Sequence, residues 1–237
     1  QVLGLSMIAY TSLFGLALAS VMFLCVPKLS NIEKAPVQKE FFKSFKDILS
    51  NRQMNYLMLI SDTLRFMGAG SDSSPETIEL AETAIEKVRS VSTPVSRLTV
   101  INSDNKELLR GADIEKHLCG CSKAFVLIAT LGPGVDLLIR KTQLQSMREA
   151  VAVDAAASAC LEEYCDEICA KLAESNSITM RFSPGYGDYP IEVQPQLLAF
   201  CGAEKIGLTC SGYMMIPTKS VSAIIGIKDE NYEELNR

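Results

Sequence analysis

The stretch Arg181-Phe-Ser-Pro-Gly-Tyr-Gly-Asp188 constrains this chain more than any other segment. Residues 177–182 (Ser-Ile-Thr-Met-Arg-Phe) read as a β-type run that carries the arginine near its end. Ser183-Pro184-Gly185 then turns the chain sharply, because proline fixes φ and glycine allows positive φ and close approach of the backbone. A guanidinium, a bare backbone corner and the ring of Tyr186 are thereby held within six residues. That set suits an amino-acid carboxylate beside an adenine: a fork for the carboxylate, backbone groups for ring nitrogens, a π-face for stacking. The same residues also fit an ordinary turn after a strand, and locally both readings stand. About thirty residues on comes Met214-Met-Ile-Pro-Thr-Lys-Ser-Val-Ser-Ala223. Its continuation, Lys219 to Gly226, reads as a strand of small side chains, which lets a ligand or a second backbone come close. The two segments in this order are more specific than either alone.

Together they resemble the S-adenosylmethionine (AdoMet)-binding signature of the activation, or reactivation, domain of vitamin B12-dependent methionine synthase, in its short standalone form. The resemblance runs from about Leu64 to Ile227. It includes Gly111-Ala-Asp-Ile-Glu-Lys-His-Leu118, Ala129-Thr-Leu-Gly132 with Val135-Asp136, and Asp154-Ala-Ala-Ala-Ser158. It implies an α+β fold, a twisted antiparallel sheet with flanking helices. It implies that Arg181 holds the AdoMet carboxylate, and that the backbone at Ser183 and Gly185, with Tyr186, lines the adenosine. The chain departs from the long enzymes in three places. Tyr232 takes no ligand role. Glu192-Val-Gln-Pro-Gln196 stands where those enzymes carry an acidic, His-containing stretch. An acidic contact on the preceding helix falls near Glu162 and Glu163 without a fixed register.

The resemblance also implies a function: binding AdoMet and supporting reductive remethylation of cob(II)alamin. No D-x-H-x-x-G cobalamin motif is present. The corrinoid is therefore expected on a separate cobalamin-dependent methionine synthase or its corrinoid-binding subunit, with a flavodoxin-like electron donor. Tyr186, Tyr189, Tyr213 and Met214 are the expected docking face, since aromatic and methionine side chains favour such interfaces. Two alternatives stay open: an AdoMet-responsive regulatory partner that transfers no methyl, and a small-molecule methyltransferase. The incomplete glycine-rich turn Leu131-Gly-Pro-Gly-Val-Asp136 argues against the second, because it lacks a third glycine and a closing acid. That turn reads as a strand-to-helix connection, with Thr130 and Gly132 as candidate pocket walls.

Residue chemistry narrows the alternatives. A net charge of −5, with no basic stripe, argues against a nucleic-acid surface. The chain has one histidine, His117, and no nucleophile is placed to use it, so no catalytic side chain is assigned. His117-x-Cys119-x-Cys121 lacks the second ligand pair that structural zinc needs, so no metal is assigned. The spacing of the eight cysteines gives no disulfide framework. Cys160, Cys165 and Cys169 read as reduced thiols on one helix.

Residues 1–27 carry no charge and are long enough for one bilayer crossing, with Lys28, Lys34, Lys39, Lys43 and Lys46 following. Residues 1–53 are read as an apolar extension, either a membrane anchor or a non-native upstream segment, and 54–237 as the AdoMet-binding domain. Either reading makes the domain cytoplasmic, tethered to the membrane only if the apolar segment is genuine. Along the domain, helices are expected over 55–67, 75–90, 113–118, 145–173 and 194–200. Strands are expected over 97–101, 123–131, 177–182, 207–210 and 220–227. Alanines at 150, 152, 155, 156, 157 and 159 make the long helix thin, and Asp154 within it reads as a solvated charge.

Overall fold

The computed structural model describes residues 52–70 and 73–229. The expectations for residues 1–51 and for Tyr232 lie outside the described residues. In chain order the elements are α1 (Arg52–Phe66), α2 (Pro75–Val91), β1 (Val95–Asn102), α3 (Ala112–His117), β2 (Lys123–Thr130), α4 (Pro133–Gln145), α5 (Met147–Ala173), α6 (Gln194–Cys201), β3 (Thr209–Ser211), β4 (Met214–Ile216) and β5 (Ser220–Ile227).

A three-stranded antiparallel sheet of order β1-β2-β5 forms the centre, and β3 pairs with β4 in a separate hairpin. Leu127 of β2 stands opposite Leu98 on one side and Ala223 on the other. The central strand shows no polar alternation because both of its faces are covered. Leu127 and Ala129 join a core with α1, α2, α4 and α5, through Leu59, Ile85, Val88, Val135 and Ala156. Ala124, Val126 and Ile128 join a second core with Ile114, Leu197 and Leu208. This is the expected α+β architecture, an antiparallel sheet between helices.

Local chemistry sets the helix starts. Ser74 caps α2 by accepting from the Thr77 N–H, with Pro75 in the first turn and Glu76 favoured by the helix dipole. The expected long helix begins later than its pattern suggested. Ser146 adopts an extended conformation, closing α4 and capping α5 through the Glu149 N–H. The alanines of α5 at 150, 152, 155, 156, 157 and 159 are buried.

Residues 177–182 do not form the continuous strand expected. Only Ile178 and Phe182 bridge to β5, at Ile227 and Ile224 respectively. Four steps of chain on one side oppose three on the other, so the segment carries one extra residue, the mark of a β-bulge. Thr179 holds the bulge: its N–H donates to the Gly226 carbonyl at 2.9 Å, and its Oγ1 accepts from the Gly226 N–H at 2.8 Å. The ladder breaks at Met180 and Arg181 for that reason. Among the described residues, no helix is long and apolar enough to cross a membrane.

Candidate functional site

The bulge and α5 together build the site. Along α5, Glu162, Asp166, Cys169, Ala170 and Ala173 recur at helical spacing and line one side of a cavity of about 460 Å³. Met180, Arg181, Ser183 and Tyr186 line the other side, and Val221 of β5 contributes as well. The volume lies within the range of small-molecule and cofactor sites, roughly 300–1,000 Å³. Three of the four residues singled out from sequence, Arg181, Ser183 and Tyr186, thus share one cavity.

Arg181 is the electrostatic centre. Its Nη2 donates to Glu162 Oε2 and its Nη1 to Asp166 Oδ1, both at 2.6 Å. Nη1 also reaches Cys169 Sγ at 3.7 Å. The Arg181 side chain is 20% exposed. Burial disfavours its charge, but the hydrogen bond and charge of Asp166, together with Cys165 and Cys169, raise the guanidinium pKa. Burial pushes the Cys165 thiol up to about 12 and raises that of Cys169, so neither is a thiolate at neutral pH.

The turn that follows is closed by its own backbone. The Tyr186 N–H donates to the Ser183 carbonyl at 3.1 Å, and the Gly185 N–H to the Tyr189 carbonyl at 2.8 Å. Gly185 has φ +92°, and a Cβ there would meet Ile191 at an ordinary 3.6 Å. Glycine is therefore needed for its conformation, not for lack of room. Gly185 shapes the turn and is not among the cavity-lining residues. Tyr186 is 60% exposed, edge-on to Phe182 at 6.1 Å.

Several expectations are corrected. Tyr189 is not on a docking face: it is 1% exposed, and its hydroxyl donates to the Leu108 carbonyl at 2.9 Å. Thr130 and Gly132 are buried away from the cavity, and a Cβ on Gly132 would collide with Thr93 Oγ1, so this turn packs against the α2–β1 connection. Asp154 is not merely solvated. It pairs with Lys219 Nζ at 2.9 Å, and the same amine donates to Ser158 Oγ at 2.9 Å. Among the described residues, no group of three or more His, Cys, Asp or Glu side chains is arranged to hold a metal ion.

From sequence the register of Glu162 is open, and Asp166 and Met180 are not among the expected site residues. Asp166 carries a readable signal, the four-residue spacing from Glu162 that places both carboxylates on one helix face. Met180, 84% exposed, had none, because its position depends on the bulge.

A fold comparison agrees with this architecture. The chain is similar to the MetH reactivation domain solved with bound AdoHcy, with a TM-score of 0.51 and 12% sequence identity. The match covers 72% of this chain and 76% of that one. No protein-family profile matches the chain. No curated protein matches it in sequence.

Proposed function

We propose that this chain binds S-adenosylmethionine in the cavity between α5 and the bulged segment, and supports reductive remethylation of a cobalamin carried by another protein. The observation that carries the reading is the convergence of Arg181, Ser183 and Tyr186 on one cavity, within a fold shared with a reactivation domain that holds AdoHcy. Bound AdoMet supplies a methyl group on a sulfonium, and the corrinoid and the reducing electron come from separate polypeptides.

The chain's own residues bind and orient. Three of the five N–H positions of Arg181 are committed to Asp166, Glu162 and Cys169, and the ligand carboxylate meets the others. The exposed face of Tyr186 stacks on the adenine. Ser183, at the start of the turn, walls the ribose side. Holding the sulfonium in one orientation is the chain's contribution to rate, because positioning converts an encounter into an effectively unimolecular step. At the cavity, Met180 and Tyr186 are 84% and 60% exposed, and they make the surface on which a cobalamin-dependent methionine synthase, or its corrinoid-binding subunit, docks. A flavodoxin-like donor reduces that partner.

The test is calorimetric titration of AdoMet into the full chain, with Arg181→Ala alongside. Saturable binding that weakens in the variant by about 1.5–3 kcal/mol, the scale of a charged hydrogen bond, supports the reading. No binding by the folded wild type removes it. Production of S-adenosylhomocysteine only when a cob(II)alamin protein and reductant are both added separates reactivation from a purely regulatory role.

A further inference from the structure

We propose that the cavity is charge-selective: Glu162 and Asp166 make it prefer the sulfonium form of its ligand, S-adenosylmethionine, over the thioether left after methyl loss, S-adenosylhomocysteine. The inference rests on the ligand reading above.

The charges at the cavity are Arg181, Glu162 and Asp166, one positive and two negative, which leaves an excess of one negative charge. Two other cations that reach α5 are committed elsewhere. Arg89 is paired with Glu163 at 2.9 Å, and Lys219 with Asp154 at 2.9 Å. Each α5 carboxylate binds Arg181 through one oxygen, Oε2 of Glu162 and Oδ1 of Asp166. Their side chains remain 49% and 73% exposed, so both are open to a ligand in the cavity.

The two ligands differ by one charge. S-adenosylmethionine carries a carboxylate, an ammonium and a sulfonium, for a net charge of plus one. When the methyl leaves to a nucleophile, the carbon–sulfur bond breaks, its electron pair stays on sulfur, and the thioether product is neutral overall. A site with an excess negative charge therefore holds substrate more tightly than product, and methyl transfer itself loosens what remains. Both carboxylates are partly solvated, so the discrimination expected is roughly three- to ten-fold in Kd. Added salt narrows it by screening.

The experiment measures Kd by calorimetry, on the full chain, for S-adenosylmethionine, S-adenosylhomocysteine and the amine analogue in which a charged amino group replaces the methylsulfonium. The first and third are expected to bind more tightly than the second. Glu162→Gln and Asp166→Asn, which keep a hydrogen-bond acceptor for Arg181, are each expected to shrink the gap. Glu76→Gln neutralises a carboxylate paired with Arg148, about 21 Å along α5 from Glu162, and is expected to leave the gap unchanged. Equal affinities of wild type for all three ligands would overturn the charge selection while leaving the ligand reading intact. A gap that survives both α5 variants would overturn the assignment to these carboxylates. Binding of none of the three would overturn both readings.

Discussion

Asp113 and Asp188 clasp each other through their backbones: the Asp113 N–H donates to Asp188 Oδ1 at 2.9 Å, and the Asp188 N–H to Asp113 Oδ2 at 3.1 Å. The Ala112 N–H adds a third bond, to Asp188 Oδ2 at 2.7 Å. The clasp ties the first turn of α3 to the end of the Ser183-to-Asp188 segment that borders the cavity. Gly187 is part of the design, with φ +53° and a Cβ position that would collide with the Asp113 carboxylate.

The clasp predicts an acid-sensitive contribution to stability. The backbone N–H groups of Asp113 and Ala112 lower the Asp188 pKa below its ordinary value. A depressed carboxylate pKa means that the unfolded chain takes up the proton first. The contribution is therefore whole above the unfolded value, about 3.9, and is lost as pH falls through the folded value. Asp188→Asn is expected to lower the melting temperature at pH 7, with the deficit against wild type shrinking below pH 4. Thermal melts of both proteins across that range check it, and a deficit independent of pH would contradict the role of the charge.

Gly185 separates conformation from space. With room for a Cβ but a φ of +92°, Gly185→Ala is expected to cost about 1–2 kcal/mol of stability through the backbone alone. Because that strain falls between Ser183 and Tyr186, AdoMet binding is expected to weaken more than stability does. Denaturant midpoints and calorimetric titration of the same preparation give the two numbers. Unchanged binding would detach this turn from the ligand.

What was legible follows from how far each signal reaches. The helix α2 could be read residue by residue, because Ser74, Pro75 and the apolar spacing all act within one helix. The buried strand β2 was legible because an unbroken apolar run needs cover on both faces. That Arg181, Ser183 and Tyr186 lie side by side on one cavity follows from their span of six residues. The bulge was not, since it depends on Thr179 meeting Gly226, 47 residues on. The burial of Tyr189 was not, since its hydroxyl finds Leu108, 81 residues earlier. From sequence Gln194 stands only as part of a departure from the methionine synthase pattern, and its reason appears in three dimensions.

That reason is a buried polar pair. Ser222 Oγ donates to Gln194 Oε1 at 3.0 Å, and Gln194 Nε2 reaches the Tyr213 carbonyl at 3.4 Å. Both side chains lie inside, where an orphaned polar group costs about 1–3 kcal/mol. Gln194→Leu strands the Ser222 hydroxyl, and Ser222→Ala strands the Gln194 carbonyl. Each is expected to lose an amount on that scale. The double variant is expected to lose less than the sum, by about 0.5–1.5 kcal/mol, because neither orphan remains. Additive losses in urea unfolding would mean that the two side chains do not act as a pair.

The lone histidine gives a second pH window, well separated from that of Asp188. His117 Nε2 lies 2.9 Å from both the Met180 carbonyl and Thr179 Oγ1, and its ring lies 4.9 Å from that of Phe182. Burial lowers its pKa, and the hydrogen bond to Met180 only partly offsets this. The fold therefore favours the neutral ring. As pH falls through the unfolded value, about 6.5, the unfolded chain is protonated before the folded one, and stability declines. The urea midpoint of wild type is expected to drop between pH 7.5 and pH 5.5. In His117→Gln, which keeps a donor for the Met180 carbonyl, the midpoint is expected to stay level across the same range. Equal slopes for the two proteins would remove His117 as the titrating group. Met180 and Thr179 also line the cavity, so acidification is expected to loosen the bulge that carries Arg181 before the rest of the fold opens. Loss of AdoMet affinity at a higher pH than loss of structure, measured on one sample series, would show that order directly.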